Sequence, residues 1–325
     1  MYYFGSVKFY KHLILTVIIL VLIVPYALSF YIAIQNSKLK DKLTYYQDNN
    51  NYFVSSYIQE HARIKNLINN DIASISNSEI NSENLSLSEN PTKNNSFDYQ
   101  NNYEDLYVER NEFVSIDKND KVAYLTFDDG PSNVTWDILN ILDNYEIKAT
   151  FFVLYKDDEE SIKIYKEIVK RDHALAIHST SHDYKKIYNS VDDYLEDFNQ
   201  LFNHLYSITG IKPNIFRFPG GSINTYNFNI YKQLNAEMLR RGFVFYDWNV
   251  SSNDAVYNST KDSILNSVSE GLEDKNKAIV LMHDSEQKKD TAATLPEVIE
   301  IIKNKGYRFE KLDNSVYPIT FSYTD

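Results

Sequence analysis

The chain has 325 residues, 43% of them hydrophobic and 14% aromatic, with a formal net charge of -12. That length supports one full-sized core with an appendage and crowds two large domains. The acidic balance, with no Lys/Arg stripe, argues against a nucleic-acid partner, and the absence of cysteine removes disulfides, thiol nucleophiles and thiolate metal sites, so any metal must be held by His, Asp or Glu.

Leu13 to Ala33 carries no charge and is nearly all apolar, and about 20 such residues suffice to cross a bilayer core as a helix. Lys8 and Lys11 before it favour a short cytoplasmic N-terminus with the bulk of the chain outside, although Lys38, Lys40 and Lys42 on the far side weaken that orientation. Residues 1–34 therefore read as an N-terminus and uncleaved membrane anchor. A cleaved signal peptide, processed near Ala27-Leu28-Ser29, is the competing reading. From 35 to 112 the composition turns to Asn, Ser, Glu and Lys, too poor in large apolar side chains to offset chain entropy in a core of its own. This reads as a stalk that gives the next domain reach, with a short helix at Tyr57–Ile68. A small partner-binding module within Leu43–Ile72 is the alternative.

Residues 113–325 alternate apolar runs with amphipathic segments. Strands are predicted at Val122–Phe127, Ala149–Tyr155, Ala174–His178, Ile215–Phe218, Phe243–Trp248, Ala278–Met282 and Tyr307–Lys311. Helices are predicted at Thr135–Tyr145, Glu160–Arg171, Val191–Thr209, Phe228–Arg241, Thr260–Leu272 and Leu295–Lys305. Strands alternating with helices imply parallel pairing through right-handed crossovers, hence an α/β domain. Seven such units over ~210 residues suit a barrel better than an open sheet, and barrel chemistry sits where strands end.

The polar residues of interest fall at those ends. In Thr126-Phe127-Asp128-Asp129-Gly130-Pro131 two carboxylates stand side by side at the edge of a core, where they need a cation, a shared proton or exposure to water. A cation is the first choice and a solvated turn the alternative. His178 and His182 are spaced so that a helical or turn-like segment points both imidazoles the same way. One added carboxylate makes a two-His, one-Asp set suited to a catalytic divalent metal, although two surface histidines explain the spacing as well. Arg217, before Phe218-Pro219-Gly220-Gly221, is a surface arginine or, at the rim of an acidic site, the fork that holds a carboxylate in one orientation. Asp247-Trp248-Asn249 and Leu281-Met282-His283-Asp284 close two later strands, and Trp248 reads as core or as a face for a sugar ring. Among the 7 histidines, His12, His61, His173 and His204 have no such setting and read as structural.

TFDDGP, HSTSH, RFPGG and LMH, in that order between Asp120 and Lys311, together resemble the polysaccharide deacetylase family, carbohydrate esterase family 4. The resemblance implies a distorted (β/α) barrel of about seven strands and removal of N- or O-acetyl groups from a glycan polymer. It also implies a divalent metal, often zinc, although Co2+, Ni2+, Fe2+ and Mn2+ suit the same donors. Asp129, His178 and His182 then match the metal ligands, Asp128 the general base, Arg217 the residue that orients it, and His283 the general acid. The Gly220 N–H matches an oxyanion donor, with Trp248 and Leu281 on the substrate side. Two departures stand out. The family often has an aromatic residue where this chain has Gly220, so a missing wall and a wider groove are expected. Its fourth motif places Asp and Trp where this chain has Ser251 and Ala255, which leaves Asp254 or Asp247 to charge-pair with His283, or His283 to titrate lower. A membrane-anchored, extracytoplasmic enzyme acting on N-acetylglucosamine of peptidoglycan is the resulting expectation. Poly-N-acetylglucosamine, a chitin-like chain or acetyl xylan are the other substrates, and a wall-binding module without turnover is the non-enzymatic alternative.

Overall fold

The structure, a computed structural model, describes residues 8–12, 14, 97–114 and 120–321. The chain divides into two compact units, residues 1–84 with 322–325, and residues 85–321. Of the first unit only residues 8–12 and 14 are described, and they are helical. The expected anchor, apart from Ile14, the Tyr57–Ile68 helix and the Leu43–Ile72 module lie outside the described residues. No described helix is long and apolar enough to cross a membrane.

The second unit is built on one parallel sheet. Its strands are β1 (Val122–Asp128), β2 (Thr150–Leu154), β3 (Ala174–Ser179), β4 (Ile215–Phe216), β5 (Val244–Phe245), β6 (Val250–Ser251), β7 (Lys277–His283) and β8 (Arg308–Phe309). The order is β5-β4-β3-β2-β1-β7-β6. β8 pairs with the start of β1 at Val122 and Ala123, below the stretch that takes β2. The helices are α1 (Asn133–Asn144), α2 (Glu159–Lys170), α3 (Tyr184–Ile187), α4 (Val191–Thr209), α5 (Tyr231–Arg240), α6 (Lys261–Gly271) and α7 (Lys289–Asn304). Ser132, Asp158, Ser190 and Thr260 cap α1, α2, α4 and α6 with side-chain oxygens that accept from first-turn N–H groups.

Strand side chains alternate between two cores. Ala123, Leu125 and Phe127 of β1, with Val280 and Met282 of β7, join the cluster that packs on the helices. Val122 and Tyr124, with Phe152 and Ile279, join a smaller cluster on the other face, the barrel interior. Continuing that alternation brings Thr126 and Asp128, Leu281 and His283, and His178 and Arg217 to the interior face, the last of each series at the C-terminal rim.

The expected strand Phe243–Trp248 shortens to Val244–Phe245, and a strand that was not expected, Val250–Ser251, follows it. Val244–Phe245 ends the sheet beside β4, whereas Val250–Ser251 ends it beside β7. The chain between them crosses from one sheet edge to the other. At ~3.4 Å per residue those few residues span at most about 17 Å, so the sheet must curl strongly. Among the described residues no ladder joins β5 to β6, and the result is a curled, open half-barrel. Asn249 serves as edge partner instead, its side chain donating to the Lys277 carbonyl and accepting from the Ile279 N–H at 2.8 Å each. The helix expected from Leu295 starts at Lys289, with Pro296 inside it. Burial of Thr291, Ala292 and Leu295 outweighs the one backbone bond that proline forfeits.

Residues 98–108, grouped with the stalk by composition, pack on this unit. Leu106 is fully buried in the helix-side core, and Val108 N–H donates to the Arg241 carbonyl. The fully buried Arg241 guanidinium donates to the carbonyls of Tyr99, Asn102 and Tyr103 and to Glu237.

Candidate active site

Asp128 ends β1 with 3% of its surface exposed, facing a completely buried Arg217. All three guanidinium nitrogens are engaged. Nη1 donates to Asp128 Oδ1 and to Thr126 Oγ1 at 2.8 Å each, Nε to the Tyr246 carbonyl at 2.8 Å, and Nη2 to the Asp247 carbonyl at 3.3 Å. Its plane lies 4.2 Å over the Phe152 ring. Such a pair repays its desolvation only when further hydrogen bonds satisfy the buried donors, and the four made here involve all three nitrogens. The consequence is one immobile carboxylate oxygen on Asp128 and one, Oδ2, left toward the rim.

Asp129 turns the chain with φ 76°, which sends its carboxylate to the same rim. Its Oδ1 is 3.5 Å from His178 Nε2 and 3.4 Å from His182 Nε2, and it is buried with no hydrogen-bond partner. Ligand atoms of the three side chains all lie within 4.8 Å of one another. His178 Nδ1 sits 2.8 Å from the Arg217 carbonyl, so Nδ1 donates there and Nε2 is the ring nitrogen that faces Asp129. Burial and the neighbouring His178 lower the His182 pKa, which favours the neutral ring. An unpaired buried carboxylate oxygen between two imidazole nitrogens fits a divalent cation in a two-His, one-carboxylate set.

The loop joining the two histidines is shaped by Asp197, on α4, a residue the sequence reading did not single out. Its carboxylate accepts from Ser179 Oγ at 2.7 Å and from the N–H groups of Thr180 and Ser181 at 2.8 Å, while its carbonyl accepts from Thr180 Oγ1 at 2.7 Å. His182, at φ 51°, then donates its N–H to Ser179 Oγ. The signal was a charge inside the apolar stripe Tyr194, Leu195, Phe198, Leu201 and Phe202.

His283 ends β7 across from Asp128, its ladder partner on β1. Its Nδ1 is 2.8 Å from Asp254 Oδ1, and its own N–H donates to Asp254 Oδ2. Thr291 Oγ1 also donates to Oδ2, and Lys288 Nζ to the Asp254 carbonyl, so the early start of α7 fixes this carboxylate. Burial disfavours the charged imidazole, yet the Asp254 hydrogen bond and charge outweigh it and raise the His283 pKa to about 9. Asp254 is correspondingly lowered, burial acting against the shift and the His283 bond carrying it. The alternative of a lower-titrating His283 is thus overturned. Asp247 is excluded as its partner too: its carboxylate accepts from the Ser222 N–H and Oγ and from the Phe321 N–H.

Of the substrate-side residues, Leu281 lies on the interior face below His283 and is nearly buried. Trp248 is partly buried, edge-on to Phe321 at 4.8 Å, and contributes to the barrel interior. Gly220 is exposed at the rim with φ 74°, and among the described residues nothing accepts from its N–H. The expected gap beside it is not there. A Cβ at 220 would lie 2.7 Å from Tyr184 Cε1, because that ring, from α3, occupies the space.

A curled parallel half-barrel with an ion-paired carboxylate, an Asp/His/His set and a carboxylate-backed histidine on one rim defines a hydrolase that works on a carbonyl carbon. The sequence pattern of the family described as polysaccharide deacetylase matches residues 115–239. The chain is 31% identical over 213 residues to a peptidoglycan-N-acetylglucosamine deacetylase of Bacillus cereus, covering 63% of this chain and 74% of the relative. Among solved structures it resembles the catalytic domain of a peptidoglycan N-acetylglucosamine deacetylase from Eubacterium rectale. That likeness has TM-score 0.61 and 34% identity, covering 66% of this chain and 97% of that one. It also resembles a carbohydrate esterase family 4 enzyme of Streptococcus mutans, with TM-score 0.55 and 29% identity over 60% and 87% of the two chains. This chain belongs to the polysaccharide deacetylase family and is an enzyme, a hydrolase of that family.

Proposed function

We propose that the enzyme removes the N-acetyl group from N-acetylglucosamine units of peptidoglycan, releasing acetate, with a divalent cation held by Asp129, His178 and His182. The observation that carries this reading is the buried, unpartnered Asp129 Oδ1 between two imidazole nitrogens, at the rim where Asp128 and His283 end paired strands. A divalent cation at those three side chains would supply the positive charge that polarises the acetamide carbonyl and makes a nearby water more acidic. Zinc is the first choice for this donor set.

Asp128 is the general base. Arg217 occupies Oδ1, which keeps the carboxylate oriented and leaves Oδ2 to take a proton from the attacking water. The water oxygen bonds to the carbonyl carbon, and the Gly220 N–H, which has no acceptor among the described residues, is the proposed donor to the oxygen that gains charge. His283 then gives its Nε2 proton to the departing nitrogen as the C–N bond breaks, leaving acetate and an amine. Asp254 on Nδ1 keeps that histidine charged until it is needed. Peptidoglycan is favoured by the substrate of the relatives above and by the uncharged run Leu13–Ala33, which supports a membrane anchor with the enzyme outside.

The test is acetate release from N-acetylated peptidoglycan by purified protein, stripped with chelator and reloaded with Zn2+, Co2+ or Mn2+. Release that requires metal and disappears in Asp128→Asn is expected. Release from chitin oligomers or acetyl xylan with none from peptidoglycan would move the substrate, and binding to wall without release from any polymer would sink the enzymatic assignment.

A further inference from the structure

Gly220 is the position at which two elements of the rim meet. Its φ of 74° suits glycine, and a Cβ there would meet Tyr184 at 2.7 Å on Cε1 and 3.2 Å on the hydroxyl. The loop and α3 are locked together around this contact. Tyr188 Oη donates to the Pro219 carbonyl at 2.7 Å, and Asn224 Nδ2 donates to the same carbonyl at 3.2 Å. Tyr184 is therefore held in place rather than lying loosely on the surface.

The Tyr184 ring stands edge-on to the His182 imidazole, centroids 5.2 Å apart at 83°, so it borders the Asp/His/His set directly. On its other side lies Tyr226, 5.2 Å away at 47° and 51% exposed. Tyr184 is partly buried and packs in part on the helix-side core, Tyr226 is half exposed, and the two adjacent rings lead outward from the His182 side of the site. Aromatic rings with a hydroxyl at the tip match a pyranose, which has apolar C–H faces and a polar equator. A polymer whose acetamido group lies over Asp128 and His283 must set its sugar ring down within a few ångströms of them, and this surface is the aromatic one bordering that place.

We propose that Tyr184 and Tyr226 form a wall that packs against a pyranose ring of the glycan chain, with Gly220 as the position that admits Tyr184. The identity of the arriving polymer rests on the deacetylase reading, but the wall binds sugar whether or not turnover follows. The test uses the full chain, metal-free, titrated with the tetrasaccharide of N-acetylglucosamine in a calorimeter, comparing wild type with Tyr184→Ala, Tyr184→Phe and Tyr226→Ala. Tyr184→Ala is expected to weaken binding about tenfold, Tyr226→Ala about threefold and Tyr184→Phe by less than about threefold. In metal-loaded protein the same order appears as a rise in KM of about tenfold for Tyr184→Ala with a smaller change in kcat.

Unchanged affinity and KM in both alanine variants would overturn the wall while leaving the deacetylase assignment standing. A wild-type protein that does not bind the tetrasaccharide would overturn it as well. Weakened binding in a protein that releases no acetate from any substrate would do the reverse. Should Tyr184→Ala fail to fold, the exposed Tyr226→Ala decides alone.

Discussion

Asp254 sits where no fixed spacing from His283 would place it, and it decides the working pH range. A histidine pKa raised from 6.5 to about 9 keeps the general acid protonated at neutral pH, so acetate release should fall only as pH climbs through about 9. The sign for stability follows the same direction: the contribution of the raised His283 pKa is complete below about pH 6.5 and is lost as pH rises through about 9, whereas that of the lowered Asp254 pKa is lost on the acid side, as the carboxylate protonates. Asp254→Asn removes the charge, and the alkaline limb of kcat/KM should move down by about one to two pH units. An unmoved limb would show that another group sets it. Arg217 acts on the opposite partner. Arg217→Met strands the buried Asp128 charge and should cost about 3–5 kcal/mol in denaturant unfolding, and Arg217→Lys should restore little because it lacks the fork.

At the scale of elements, the metal set depends on a loop and on the helix behind it. Asp197 reads out three donors between His178 and His182, and His182 holds a left-handed conformation only because that loop is pinned. Asp197→Ala is expected to keep its secondary structure by circular dichroism while Zn2+ affinity, measured against a chromogenic chelator, falls about 10–100-fold. The turn after β1 is equally constrained. A Cβ on Gly130 would meet the Asp284 carboxylate oxygens at 2.2 Å and 2.6 Å, and Asp284 is itself anchored by Thr135 at 2.6 Å. Gly130→Ala should therefore displace Asp129, lowering Zn2+ affinity and thermal stability together, whereas intact affinity would show that the turn can give way.

For the molecule as a whole, the segment before the barrel counts as part of it. Arg241 is a buried cation whose acceptors include carbonyls of Tyr99, Asn102 and Tyr103, and Leu106 is fully enclosed. Cutting at Phe113 exposes both. A chain starting at Phe113 should melt about 6–12 °C below one starting at Phe97, the equivalent of about 3 kcal/mol in a domain of this size. Equal melting temperatures would show that residues 98–108 are only draped on the surface.

The strands, the parallel order they imply and the rim on which the polar residues gather were legible because burial on both faces writes long apolar runs, as in Val122–Asp128 and Lys277–His283, and a period of two sends their last side chains to a known face. Asp128, Asp129, His178, His182, Arg217 and His283 could be named from such runs and from motif order. Short strands carry too few residues to show a period, so the shortening of Phe243–Trp248 to β5 and the existence of β6 at Val250–Ser251 were hidden, and with them the way the half-barrel curls. The partner of His283 and the ring beside Gly220 were decided only by tertiary structure. Each depends on how two segments far apart in sequence meet, Asp254 with the start of α7 and Tyr184 with the loop after β4, and no local pattern in either segment records the other.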